Sequence, residues 1–95
     1  MIKSEQIVQI IFTCIGDINV EEGTNISKNL NTNLMGSDSE LDSFGLVDLI
    51  VSVEEAINLE FNVSITLADE KAMSQRNSPF KNIDSLSNYI VELVN

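Results

Sequence analysis

Ninety-five residues make one domain, spanning residues 1–95, with a single core that takes about two-thirds of the unfolded surface out of water. Fifteen acids against five bases oppose binding to nucleic acid or an anionic membrane, and one cysteine excludes an internal disulfide. The absence of histidine removes the usual general base near neutral pH and the commonest metal ligand, so no self-contained enzyme is expected.

Met1-Ile2-Lys3-Ser4 leads straight into Glu5 and Gln6, without the apolar region of a secretory signal. Apolar stretches are only a few residues long, far short of a membrane span. A cytoplasmic protein with no membrane partner is expected.

Ile7, Ile10, Ile11, Cys14, Ile15 and Ile18 recur at helical spacing and predict a first helix over residues 4–17. Ser4 is its expected N-cap and Gly16 stands near its end. Cys14, inside the apolar stripe, reads as a buried, inert thiol. Residues 19–42, dense in Asn, Ser, Thr and Gly, form a long connection pinned by Ile26, Leu30, Leu34 and Leu41.

The strongest helical pattern covers residues 43–58, with Leu46, Leu49, Ile50, Val53, Ile57 and Phe61 projecting to one side. Residues 62–65 read as extended. Thr66 and Asp69 make a capping box that opens a short helix over 66–73. Ser78-Pro79 breaks the chain, and Phe80 is an expected core anchor. Ile83, Leu86, Tyr89, Ile90, Leu93 and Val94 mark a closing helix with Asp84 as its N-cap. The expected fold is an all-α, up-and-down bundle of three long helices plus one short helix, with a long first loop.

Rotation of the second long helix by about 100° per residue puts Phe44 and Val51 on the face opposite the core, with Val47 at the flank. Asp48 and Glu55 share that outer face, and Glu54 stands beside Val47. Charged residues interleaved with apolar ones suit docking by a partner helix or a basic patch. A packing role for Phe44 and Val51 under the long loop is the alternative.

Ser43 stands where loop becomes helix, a position serine favours as an N-cap whatever else it does. The same position suits a phosphate ester, because the helix dipole and its N-terminal amides favour negative charge. The adjacent Asp42 carboxylate opposes one, so electrostatics alone does not place a phosphate here. Asp38, Glu40, Asp42 and Asp48 do not form a calcium loop. Counted from Asp38, Ser43 falls where glycine is needed and Leu49 where a bidentate glutamate is needed. No metal site is expected.

Asp42-Ser43-Phe44, then Val47-Asp48-Leu49-Ile50, then Val53-Glu54-Glu55, resembles the acyl carrier protein signature. The family pattern is Asp-Ser-Leu, a hydrophobic-acidic-Leu-hydrophobic step and a Glu-Glu pair, and its layout of helices matches essentially the whole chain. The resemblance implies a four-helix carrier bundle that is not itself an enzyme. It implies that a separate phosphopantetheinyl transferase attaches 4'-phosphopantetheine from coenzyme A to Ser43. An acyl or aminoacyl cargo would then ride as a thioester among enzymes of fatty acid, polyketide or related biosynthesis.

Asp42, Phe44, Asp48, Val51, Glu54 and Glu55 match positions that such carriers present to partner enzymes, and Val47 flanks them. The implied carrier is a monomer that meets basic patches on its acyl-loading and acyl-processing partners. Asp-Ser-Phe-Gly departs from the Asp-Ser-Leu-Asp of housekeeping members and looks more like D-alanyl carriers. A D-alanyl or peptidyl carrier loaded by an adenylating ligase and an acidic interaction domain without a prosthetic group are the alternatives. Replacing Glu54 and Glu55 with lysine is expected to leave the fold intact and to slow modification.

Overall fold

Isoleucine dominates the apolar stripes, and a branched β-carbon makes it a weaker helix former than leucine or alanine. These helices therefore depend on burying their stripes. The computed structural model describes residues 2–35, 39, 41, 43–67 and 79–95. Among them stand three helices: α1 (Ser4–Glu22), α2 (Ser43–Phe61) and α3 (Ile83–Val94). The expected short helix lies mostly outside the described residues, and Thr66 and Leu67 at its start are not helical. No described helix is long and apolar enough to cross a membrane.

α1 outruns its expected end at Asp17 because Ile18 continues the buried stripe. Lys3, with extended backbone, is its N-cap in place of Ser4, which is the first helical residue. The Lys3 amide donates to Gln6 Oε1 at 2.9 Å, so glutamine supplies the capping contact. Gly16 is not near the end of α1 but inside it. A β-carbon there would stand 3.2 Å from Lys28 Nζ, so the glycine gives that side chain room to cross the helix.

α1 packs against both α2 and α3. Ile7, Ile11, Ile15, Leu49, Ile50, Ile57, Ile83, Leu86 and Ile90 are fully enclosed, with Leu34, Leu67 and Phe80 sealing the core from the connections. The Phe80 ring meets Tyr89 edge-on, with centroids 6.2 Å apart. Leu30 departs from its expected pinning role, since its side chain is exposed. Its backbone does the work instead: Leu30 O accepts from Asp84 N at 3.0 Å, and Thr32 O from Ile83 N at 3.3 Å. Two orphan amides at the start of α3 thus find partners in the first loop. A third is held by Asn82, the true N-cap in place of Asp84, whose Oδ1 accepts from Ser85 N at 2.8 Å.

All three helices finish with the same asparagine device. Asn19 donates through Nδ2 to Ile26 O and accepts through Oδ1 from Ile26 N, at 3.1 and 2.9 Å. Asn58 does the same with Ile65, at 3.1 and 2.8 Å. Asn95, the C-cap of α3, does so with Ile2, at 2.9 and 3.0 Å. A primary amide has a donor and an acceptor side by side, so it pairs with a peptide unit as a neighbouring strand would. In the first two cases the chain reverses through a left-handed residue, Gly23 at φ +68° and Asn62 at φ +54°.

These clamps also orient the bundle. The Asn95–Ile2 pair sets the end of α3 beside the start of α1, so α3 runs antiparallel to α1. α2 is antiparallel to α1 as well: the grooves between them place Ile18 and Glu22 beside Gly45 and Asp48, and Gln9 and Ile10 towards Leu59. α2 and α3 therefore point the same way. These directions fit the up-and-down order expected of four helices, whose short third member falls mostly outside the described residues.

Candidate functional site

The outer surface of α2 is the candidate site. With Leu46, Leu49, Ile50, Val53 and Ile57 turned to the core, the 3.6-residue period sends Phe44, Asp48, Val51 and Glu55 outward. Phe44 is 81% exposed, which sets aside the alternative that it packs under the first loop. Val47 is 39% exposed, Val51 is half-buried, and Asp48 and Glu55 are exposed. The structure thus brings five of the expected docking residues onto one ribbon that starts next to Ser43. Ser43 is the first residue of this helix of 19 residues, inside it and not the N-cap before it that the sequence suggests. Asp42, also expected here, lies outside the described residues.

Glu54 has a different duty. It is half-buried at the flank of α2, and its Oε1 accepts a hydrogen bond from the Leu67 amide. Leu67 is fully buried, so the carboxylate anchors the backbone that leads a core side chain into place. A lysine at position 54 has no acceptor to offer. Reversing Glu54 is therefore expected to disturb the fold, while exposed Glu55 remains the position where reversal is expected to spare it.

Two shallow grooves open beside the first turns of α2. One, of about 220 Å³, is lined by Thr24, Leu41, Phe44, Gly45 and Asp48, with Ile18 and Glu22 on the α1 side. The other, of about 310 Å³, shares Gly45 and Asp48 and reaches Val51 and Ser52. Among the described residues no lysine or arginine lines either groove, so the described walls carry only negative charge. An anionic groove mouth between apolar patches attracts a cationic surface from a distance of about one Debye length, roughly 8–10 Å at ordinary salt.

Cys14 lies buried on the α1 side of the α1–α2 seam. Burial, and then the charge of Asp17, push its thiol above the ordinary value of 9.0, which favours an unreactive, protonated sulfur. Among the described residues no group of acids, cysteine or histidine could hold a metal ion.

A third groove, farther along the seam, was not anticipated. Leu59, 86% exposed, stands at its edge. The helical rotation that found Phe44 and Val51 also puts Leu59 on the outer side, so the signal was present one turn beyond Glu55.

No protein-family model matches the chain, and neither curated proteins nor solved structures match it.

Proposed function

We propose that this chain is a phosphopantetheine-dependent acyl carrier protein with Ser43 as its attachment residue. The observation that carries the reading is the pairing of a serine at the start of α2 with an exposed ribbon of Phe44, Val47, Asp48, Val51 and Glu55. A helix N-terminus tolerates a phosphodiester because its dipole and amides favour an anion there. The open grooves beside Phe44 and Gly45 leave space for a transferase to approach. The helix terminus and the space beside it support attachment there, against the opposing charge of Asp48 and Glu22 in the groove walls.

When attached, 4'-phosphopantetheine supplies a thiol that holds acyl or aminoacyl cargo as a thioester. The chain's own residues present that cargo. Phe44 and Val51 offer partners an apolar contact, while Asp48 and Glu55 steer basic patches on the transferase and on acyl-loading and acyl-processing enzymes. Asp42 belongs to the same docking set by its match to the family signature. Glu54 supports the set by anchoring Leu67. Contacts of this size are transient, as suits a monomeric cytoplasmic carrier passed between enzymes. Fatty acid, polyketide or related biosynthesis would use it.

Gly45 after Phe44 favours a second form of the same reading, a D-alanyl or peptidyl carrier loaded by an adenylating ligase. A non-carrier adaptor would use the ribbon equally well and need Ser43 only as the first residue of α2. Intact-mass measurement after incubation with coenzyme A and a broad-specificity phosphopantetheinyl transferase separates the classes. A carrier gains one phosphopantetheine, and Ser43→Ala gains none. A wild-type mass that never changes sinks the proposal.

A further inference from the structure

We propose that the distal half of the α1–α2 seam is a second docking site, which takes a basic amphipathic helix of a partner protein. The seam holds a groove of about 580 Å³. Ile10, Cys14 and Ala56 give it an apolar lining, and Leu59 stands almost fully exposed at its edge. A large aliphatic side chain left in water beside an apolar trough gains by being covered, by about 25 cal/mol for each Å².

Charge selects the occupant. Asp17, Glu55 and Glu60 rim the groove, and among the described residues no lysine or arginine lines it. A second copy of this chain would bring the same three carboxylates against their counterparts, on a body of net charge −10. Nucleic acid and anionic membranes are repelled for the same reason. A partner with lysine or arginine beside its apolar side chains satisfies both the rim and the lining.

Shape selects a helix. From Ser52 to Glu60 the groove follows about 12 Å of α2, or just over two helical turns. Side chains from two antiparallel helices line it, with no open strand edge for a peptide to extend. A helix brings its own backbone bonds satisfied and lays an i, i+3, i+4, i+7 stripe into such a trough. Ser52 and Ala56 are small, which lets that helix approach α2 closely.

This site does not rest on the carrier reading. Leu59, Glu60 and Asp17 lie beyond the ribbon that begins next to Ser43, and no transferase is needed to observe binding. The probe is a synthetic helix with leucine at i, i+3, i+4 and i+7 and lysine or arginine elsewhere, titrated into the full ¹⁵N-labelled chain. A scrambled peptide of the same composition is the reference.

The expected shift changes gather on residues 9–17 and 52–60, and the scrambled peptide binds more weakly. Leu59→Ser and Glu60→Lys each weaken the helix by about tenfold, in the range of a lost interface anchor. Val20→Ser, equally exposed but off the groove, leaves the affinity unchanged. Melting curves of the three variants check that each is folded. The proposal is overturned if no peptide binds, if the scrambled peptide binds as tightly, if Leu59→Ser changes nothing, or if the shifts centre on Phe44 and Val51.

Discussion

Two side chains on the α2 side of the core show how burial decides what a charge is for. Glu54 and Glu55 are neighbours in sequence, yet one is half-buried against the Leu67 amide and the other faces water. Replacing Glu54 with lysine removes an acceptor for a charge-assisted bond, a loss of about 1.5–3 kcal/mol, whereas Glu54→Gln retains an oxygen and loses less. Thermal melts are expected to drop by several degrees for Glu54→Lys and by less than about two degrees for Glu55→Lys. Equal shifts for the two would mean that the Leu67 contact contributes nothing. Cys14 gives a pH-dependent outcome. Its thiol is held above 9.0 in the folded chain, so the folded state keeps its proton where the unfolded state loses it. The contribution is intact below about pH 9 and lost as pH climbs past it. Cys14→Ala is expected to flatten the fall in stability between about pH 8.5 and pH 10 relative to wild type. Alkylation of the thiol at neutral pH should stay slow until denaturant is added.

At the scale of elements, the asparagine clamps account for where helices stop. The segments Asn19-Val20-Glu21-Glu22-Gly23-Thr24-Asn25-Ile26 and Asn58-Leu59-Glu60-Phe61-Asn62-Val63-Ser64-Ile65 share Asn, Glu and Ile at matching positions, with a left-handed residue between. Asn58→Ala leaves a partly buried peptide unit without its donor and acceptor, and is expected to cost about 1–3 kcal/mol by chemical denaturation. Asn95→Ala acts at an exposed contact and should cost less than about 1 kcal/mol. Near-additive losses in the Asn19→Ala, Asn58→Ala double variant are expected for separate clamps. The core stripes were legible beforehand because the 3.6-residue period is a local signal. The ends were not. α1 passes through Gly16 because Ile18 is still buried, and α2 reaches Phe61 because Asn62 accepts the left-handed turn. Both ends are also held by contacts seven positions on, Asn19 with Ile26 and Asn58 with Ile65. Asn82 outranked Asp84 as a cap for a similar reason, since Ser85 closes the box from the other side. Leu59 was overlooked because the outer ribbon was traced only as far as Glu55.

For the whole molecule, charge and layout decide what the surface meets. A net charge of −10 on a chain of 95 residues opposes its own compaction, so added salt should raise the melting temperature before any effect of hydrophobic salting appears. The same salt should slow encounters with basic partners. Asp48→Lys combined with Glu55→Lys is expected to leave the fold unchanged, slow transfer of phosphopantetheine about tenfold at low salt, and blunt the salt dependence of that rate. Similar rates for wild type and this variant would remove Asp48 and Glu55 from the docking surface. The Asn95–Ile2 clamp, which joins residues 93 apart, fixes the direction of α3 along α1. The ribbon beside Ser43 was legible in the sequence, because one helix carries it. The most direct trial of the account is peptide mapping by tandem mass spectrometry after treatment with transferase and coenzyme A. The account expects a single phosphodiester-linked adduct on the peptide that contains Ser43, bound to that hydroxyl. An adduct on another serine, or an unmodified Ser43 beside a transferase that loads a control carrier, would contradict it.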